Sequence, residues 1–557
     1  MKKRILGVLL ASCCAISLAS CNGMPIIPGT TQPANSVTTT TEPTTVVTPT
    51  VDPTNVEPST TVVNPTQPTV VNPTTIGSTT IEPTVVTPTV ADPTTANPTT
   101  ETTGSTTNEN HRNFETPEIP GPVDPSTVEF TKKHFKDSMK ENGPFSQDAF
   151  PATGEPTMLV IPVNLKEDNK TDEIYNNIKT AFAGTEEETG WESVQSFYYK
   201  SSYEQLNIKF EFTDWFTPAH DIQYYENVED GYGDEEILKE ALNHFDSTID
   251  FSKYDYDEDS FIDNIWVVYN CPVDYTNTEF WWAWQTKVQD DVKFDGKTLC
   301  RYGWAGTDFM DPSKEEQSYD TTNIKVDAHT FIHESGHIMG LEDYYDYDEE
   351  NGPVNRGLFG ADMMDYNIGD HCSFNKISLG WIDPILVSGN GKKEFTLGSF
   401  TTTGDVLLLA NHDVESIWDE YFLIEFYTND GLNKNDTPVY DYEDNPAMGI
   451  RILHVDAHLS LDKDGNVVLN GDESYPETGF LYDNSGTDKP LIEMLRADYS
   501  SSMEEYLYPE SLYSLESNTF GKDTWSSFKL NDGSDLFFTL SVKAIENGQC
   551  TIEINLM

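Results

Sequence analysis

Along this chain the spacing of apolar residues changes character twice. From residue 22 to 108 it has no period: Val and Ile are scattered among Thr and Pro in loose repeats such as Pro-Thr-Val-Val. Proline at that density removes backbone donors and biases the chain to extended states, so this stretch cannot bury a core and is predicted to be a disordered Thr/Pro-rich linker. Residues 109–150 are mixed and polar, an N-terminal arm or a pro-segment. Between 151 and 385 short apolar runs alternate with amphipathic ones. Met158–Asn164 reads as a strand, Glu173–Ala183 and Glu192–Tyr199 as helices, Leu206–Trp215 as a strand, Asp234–Phe245 as a helix and Ile265–Asn270 as a strand entering the core. Beyond Leu386 the runs are short and alternating: Phe395–Leu397, Val406–Leu409, Tyr421–Phe426, Ile450–Val455, Phe537–Val542 and Cys550–Ile554. Turns rich in Gly, Asn and Asp separate them, the pattern of an antiparallel β sandwich. The expected fold is an α+β domain over 151–385 followed by a β-sandwich-like domain over 386–557.

One segment of the α+β region places charge where its neighbours predict burial. In Ala328-His-Thr-Phe-Ile-His-Glu-Ser-Gly-His-Ile-Met-Gly-Leu-Glu-Asp343, the apolar Phe331, Ile332, Ile338 and Met339 call for a largely buried helix. His333 and His337 stand four apart, one turn above the other, and can grip one ion together. A buried His-Glu-His set with no basic residue beside it needs a cation. Glu334 projects next to that ion as a base for a water, and Gly340 allows the backbone to turn sharply and bring back Asp343, at the third-ligand place. Zinc suits these ligands, and the chemistry it points to is peptide hydrolysis. The competing reading is a surface helix with two solvated histidines. Downstream, Gly360-Ala-Asp-Met-Met-Asp-Tyr366 offers Met364 as an apolar floor beneath the metal. Tyr366 is either a group that reaches the metal or a developing oxyanion, or an ordinary half-buried tyrosine.

These residues, with several other pieces in order, resemble the immune inhibitor A family of secreted bacterial metallopeptidases. The resemblance runs from about Thr157 to at least Trp381 and more weakly to the end. It is carried by Met158–Asn164, Ser193–Tyr203, Asp250–Asp259, the His333–His337 helix with Leu341–Asp346, Lys376–Trp381 and Gly449–Asp456. It implies an α+β zinc-peptidase domain of metzincin-like pattern, zinc held by His333, His337 and Asp343, and Glu334 as base. Many relatives carry Trp or Phe before the Asp-x-Met element, where this chain has Ala361, a departure that touches packing rather than ligands.

A second cation site is expected in Asp255-Tyr-Asp-Glu-Asp-Ser-Phe-Ile-Asp263. Carboxylates of Asp255, Asp257, Asp259 and Asp263 fall at loop positions 1, 3, 5 and 9, and the carbonyl of Phe261 at position 7. That donor set suits calcium, although Ser260 replaces the usual glycine and no glutamate follows at position 12. A solvated acidic loop is the alternative. Asp462-Lys-Asp-Gly-Asn466 is a weaker echo and reads as a turn.

Composition narrows the partners. Of 557 residues, 33 are Lys or Arg and 94 Asp or Glu, a net charge of −61. That excess argues against nucleic-acid binding and fits an extracellular, calcium-rich setting. Lys2, Lys3 and Arg4, then an apolar run too short to span a bilayer, then Leu18-Ala-Ser-Cys21, read as a bacterial lipoprotein signal over 1–21 with Cys21 lipidated. A plain secretory signal is the alternative. The expected location is the outer face of the membrane, reached through the lipid anchor alone, with proteins or peptides as substrates. Cys271, Cys300, Cys372 and Cys550 remain in the mature chain, with Cys271–Cys300 the first candidate pair. The contrasting functional readings are a surface adhesin on a peptidase fold and a metalloenzyme for another amide or ester. The β domain either binds a ligand or supports its neighbour.

Overall fold

A computed structural model describes residues 150–557 except 166–169, 229–230, 272–280, 290–291, 314–321, 346–356, 359–361, 413, 415–416, 418, 435–447, 458–459, 462–466, 469–483, 485–489, 499–510 and 532. Cys21, the linker over 22–108, Ala361 and the Asp462–Asn466 turn lie outside the described residues. Everything described belongs to one compact unit, and no helix among the described residues is long and apolar enough to cross a membrane.

The first half is a five-stranded sheet with helices packed on it. Its strands are β1 (Thr157–Val163), β2 (Lys209–Phe212), β3 (Ile265–Tyr269), β4 (Trp284–Lys287) and β5 (Arg301–Gly306), in the order β2-β1-β3-β5-β4. All neighbours are parallel except β4, which runs antiparallel to β5 at the edge. β1, β3 and β5 are buried on both faces, as strands of a covered parallel sheet must be, which explains their apolar runs. Helices α1 (Asp172–Ala183), α2 (Val194–Ser201) and α3 (Gly233–Phe245) precede α4 (His329–Ile338), α5 (Met363–Tyr366) and α6 (Ser373–Ser378). Side-chain caps fix the first two starts: Thr171 accepts from the Ile174 N–H and Ser193 from the Ser196 N–H. The Ser193 cap starts α2 two residues later than the apolar spacing suggests.

The strand expected over Leu206–Trp215 is shorter in the structure. Val160 pairs with Phe212 but Val163 bridges Phe216, so one strand carries an extra residue there and leaves the ladder after Phe212.

The second half contains two sheets of four or more strands. One orders β6 (Ile385–Leu386), β8 (Val406–Leu409), β9 (Glu420–Tyr427), β10 (Gly449–Asp456) and β11 (Ile492–Met494) as β11-β10-β9-β8-β6, where β7 is Gly391–Gly398 of the other sheet. The other runs β7-β14-β13-β12, with β12 (Thr519–Phe520), β13 (Phe538–Glu546) and β14 (Gln549–Leu556). All neighbours are antiparallel but β6 and β8. β9 and β10 are buried at every position. Alternation explains this: Phe422, Ile424, Phe426, Ile450 and Ile452 face the second sheet, whereas Tyr421, Leu423, Tyr427, Leu453 and Val455 join the core of the first half. One continuous core therefore crosses the expected 385/386 boundary. Buried polar bonds cross it too: Glu425 accepts the Ser373 N–H at the start of α6 (3.0 Å) and is paired with Arg451 (2.6 Å), itself stacked on Tyr427. Cys271, Cys300, Cys372 and Cys550 are buried thiols, so the Cys271–Cys300 bridge suggested by spacing is not formed.

Candidate metal centre

Helix α4 is held against the sheet by its apolar face. Phe331 packs against Phe182 and Trp266, with ring centroids 5.3 and 5.5 Å away. Asp327 accepts the His329 N–H (3.0 Å) at the helix start, and Trp191 stacks on the His329 ring at 4.1 Å. The helix ends in a Schellman turn: Leu341 N–H reaches Gly336 C=O (3.1 Å), Gly340 N–H reaches His337 C=O (2.9 Å), and Gly340 takes φ +94°. The glycine expected to reverse the chain does so.

That reversal brings Asp343 back over the histidines. Its Oδ1 lies 2.8 Å from His333 Nε2 and its Oδ2 3.3 Å from His337 Nε2, while the two Nε2 atoms are 3.1 Å apart. His333 and Asp343 are buried and His337 is nearly so. The other nitrogen of each ring is committed: His333 Nδ1 donates to Met363 C=O and His337 Nδ1 to Leu341 C=O, both at 2.8 Å. A carbonyl only accepts, so each Nδ1 carries the proton and each neutral ring turns a lone pair inward. Two imidazole lone pairs and a carboxylate meet with no donor among them, which calls for a cation. Zinc fits: bonds of about 2.0–2.1 Å to tetrahedral ligands put those ligands about 3.3 Å apart, close to the spacings here.

The electrostatics show the Asp343 carboxylate drawing positive charge to this centre, from an ion or, without one, from the rings themselves. Burial would raise the Asp343 carboxyl, but the two imidazoles hold it well below its usual range. Burial would lower His337, but the Asp343 charge outweighs it and pushes the ring up to about 10 when nothing else balances that charge. Glu334 is buried beside them, and burial raises its pKa against the pull of His337 and His333. Helix α4 packs on the edge strand β4, and the Gln285 backbone there is a minor influence that lowers the Glu334 carboxyl. That strand is positioned by α3: Asp234 accepts from Trp284 Nε1 (3.2 Å) and Tyr302 OH (2.7 Å).

Met364 packs closely against α4: a Cβ on Gly336 would stand 2.4 Å from its sulfur. Asp362 shapes the turn, accepting the Met364 N–H (2.7 Å), the Cys372 N–H and the Asn375 amide (3.1 Å). Burial would raise Asp362, but His371 and these donors bring it below its usual value. Tyr366, half-buried, ends α5 one turn beyond Met363.

The second expected group also converges. Carboxylate oxygens of Asp255, Asp257, Asp259 and Asp263 lie within 4.8 Å of one another. Ser260 takes φ +78°, the conformation a glycine would supply at that place, and Glu258 takes +62°. Asp255 Oδ1 is buried with no hydrogen-bond partner, while Oδ2 meets Lys297 and the Ser260 N–H (3.2 Å). Burial, and repulsion from Asp257, Asp259 and Asp255, push the Asp263 carboxyl up to about 8. Phe261 donates its N–H to Asp259 Oδ1 (2.8 Å).

A third group went unread in the sequence. Glu420, His454 and Asp456 have ligand-type atoms within 4.8 Å of one another at one end of the sandwich interior. Period-two spacing puts His454 and Asp456 on one strand face, the signal that could have found them. Here both ring nitrogens meet carboxylates, Nε2 with Glu420 at 3.3 Å and Nδ1 with Glu493 at 3.1 Å.

Compared with known proteins, the chain matches no protein-family model and no curated protein.

Proposed function

We propose that this chain is a zinc-dependent endopeptidase acting on proteins outside the cell. The observation that carries the reading is the convergence of His333 Nε2, His337 Nε2 and Asp343, with both Nδ1 protons spent on backbone carbonyls and Glu334 buried alongside. His333, His337 and Asp343 hold the metal. Zinc bound there supplies Lewis acidity, polarising a scissile carbonyl and acidifying a water.

Glu334 takes a proton from that water and delivers it to the leaving amine, a role its raised pKa favours. β4 ends its sheet among the described strands, so an extended peptide can pair along it and pass its scissile bond by Glu334. Tyr366 is the residue we assign to the oxyanion, and Met364 gives the histidines an apolar floor. The loop Asp255–Asp263 takes calcium as a structural ion, supported by the buried unpartnered oxygen of Asp255. Lipidated Cys21 anchors the enzyme to the outer membrane face, and the Thr/Pro-rich linker holds it away from the surface.

The test is digestion of casein and of a mixed peptide library by the purified protein, with and without a chelator, read by mass spectrometry. New peptide termini that vanish with chelator and return with zinc are expected. Intact peptides throughout would reject the peptidase in favour of a binding protein, and release only of non-peptide amides or esters would reassign the substrate.

A further inference from the structure

Asp343 lies in irregular backbone between Gly340 and α5, so no helix or strand ladder fixes its carboxylate. Its place depends on the residues beside it. On one side, Leu341 is bound by the Schellman turn and accepts His337 Nδ1. On the other stands Tyr344, 1% exposed and bonded at three points. Its N–H donates to Met364 C=O (2.9 Å), its hydroxyl donates to Asn375 Oδ1, and its C=O accepts from Asn484 Nδ2 (2.8 Å). Asn375 in turn donates to Asp362, which caps the turn whose Met363 carbonyl orients His333. Tyr344 thus joins the third ligand to the support of the first.

Asn484 comes from the second half of the chain. Its Oδ1 accepts the Ile492 N–H (3.0 Å) and its Nδ2 donates to Ile492 C=O (3.0 Å) as well as to Tyr344. Ile492 belongs to β11, paired with Val455 in the middle sheet. The Gly357 backbone closes over this bridge: a Cβ there would stand 2.4 Å from Asn484 Nδ2 and 2.6 Å from Tyr344 O.

We infer that Tyr344 is a positioning residue of the metal centre and that Asn484 makes the C-terminal sheet part of that centre. The inference rests on the zinc reading of His333, His337 and Asp343. It assigns the second half of the chain a share in metal affinity rather than a separate binding task. Asn484→Asp keeps the shape and the bond from the Ile492 N–H, but it turns an acceptor toward two carbonyls. Tyr344→Phe removes the hydroxyl bond alone.

The experiment is competition for zinc between the purified full-length protein and a chromophoric chelator, with thermal unfolding of the zinc-free protein alongside. Asn484→Asp and Tyr344→Phe should each weaken zinc about 10- to 100-fold, the usual cost of losing support behind a ligand. Ile552→Val, a small destabilisation inside the sandwich, should leave zinc affinity unchanged, which separates positioning from stability. If Asn484→Asp does not fold, Tyr344→Phe decides. Wild-type affinity in the folded variants, while Asp343→Ala loses zinc, overturns this inference and leaves the peptidase standing. A wild-type protein that binds no zinc overturns both.

Discussion

His333, His337 and Asp343 on α4 and its turn, and Glu420, His454 and Asp456 inside the sandwich, are both buried groups of imidazole and carboxylate with atoms close enough to share an ion. They differ in where their protons point. In the first, backbone carbonyls take both Nδ1 protons, so the neutral rings turn only acceptors to the centre. In the second, carboxylates flank both nitrogens of one ring, so a protonated His454 satisfies Glu420 and Glu493 together. Asn531 adds two more donors, its N–H to Glu420 (3.0 Å) and its side-chain amide to Asp456. A metal site is thus recognised by the direction of its hydrogens more than by its residue list, because a cation is called for only where lone pairs meet without a donor.

The largest test of this contrast is removal of one imidazole from each group. His337→Ala should abolish both zinc binding and hydrolysis, whereas His454→Ala should keep one zinc per chain by elemental analysis. Loss of zinc from the second variant would erase the distinction. Next comes the base: Glu334→Gln should retain zinc yet slow peptide hydrolysis by at least ~100-fold, and near-normal kcat would remove Glu334 from its role.

The sandwich group should respond to pH instead. Burial opposes charge on His454, but Glu420 and Glu493 overcome it and raise the ring to about 9. Its contribution is fully present below the unfolded value near ~6.5 and fades as pH rises through about 9. His454→Gln should therefore cost on the order of 3 kcal/mol at pH 6 and little at pH 10, by denaturant titration. Equal cost at both would mean a neutral ring.

Calcium is the smallest effect. An ion that binds only the native state adds about 2.7 kcal/mol at a hundred times its Kd. With Asp263 raised to about 8 by burial and neighbouring aspartates, the cation-free protein should lose stability as pH rises from about 4 to about 8. Calcium should lift the melting temperature more at pH 8 than at pH 5, where protons compete for the loop. Asp257→Ala with Asp259→Ala should abolish that response, and a calcium effect unchanged in this variant would place the ion elsewhere.

What could be read beforehand was what lies close in sequence. His333 and His337 share one turn, Gly340 sits where the helix must end, and the Asp255–Asp263 loop contains its whole donor set. β5 escaped notice because Arg301 and two glycines hide an otherwise apolar strand. The glycines are needed because the Trp266 and Tyr269 rings lie across the sheet, 2.7 and 2.8 Å from where Cβ atoms would stand. Tyr344 and Asn484 are 140 positions apart, and the Glu420–His454–Asp456 group draws on separate strands. The first pair carries no local period that marks it, and the second only the i, i+2 spacing of His454 and Asp456, which leaves out Glu420 on its own strand.

The middle sheet, with β9 and β10 dry on both sides, bears on how this protein can be inherited and dissected. A cut near residue 385 would wet one face of each half, so neither piece has a stable existence to be selected for or expressed alone. Recombination that exchanges the second half as a cassette would have to preserve every side chain along that wall. Heating should unfold the two halves in a single calorimetric transition, and a protease that severs the linker should release both halves together.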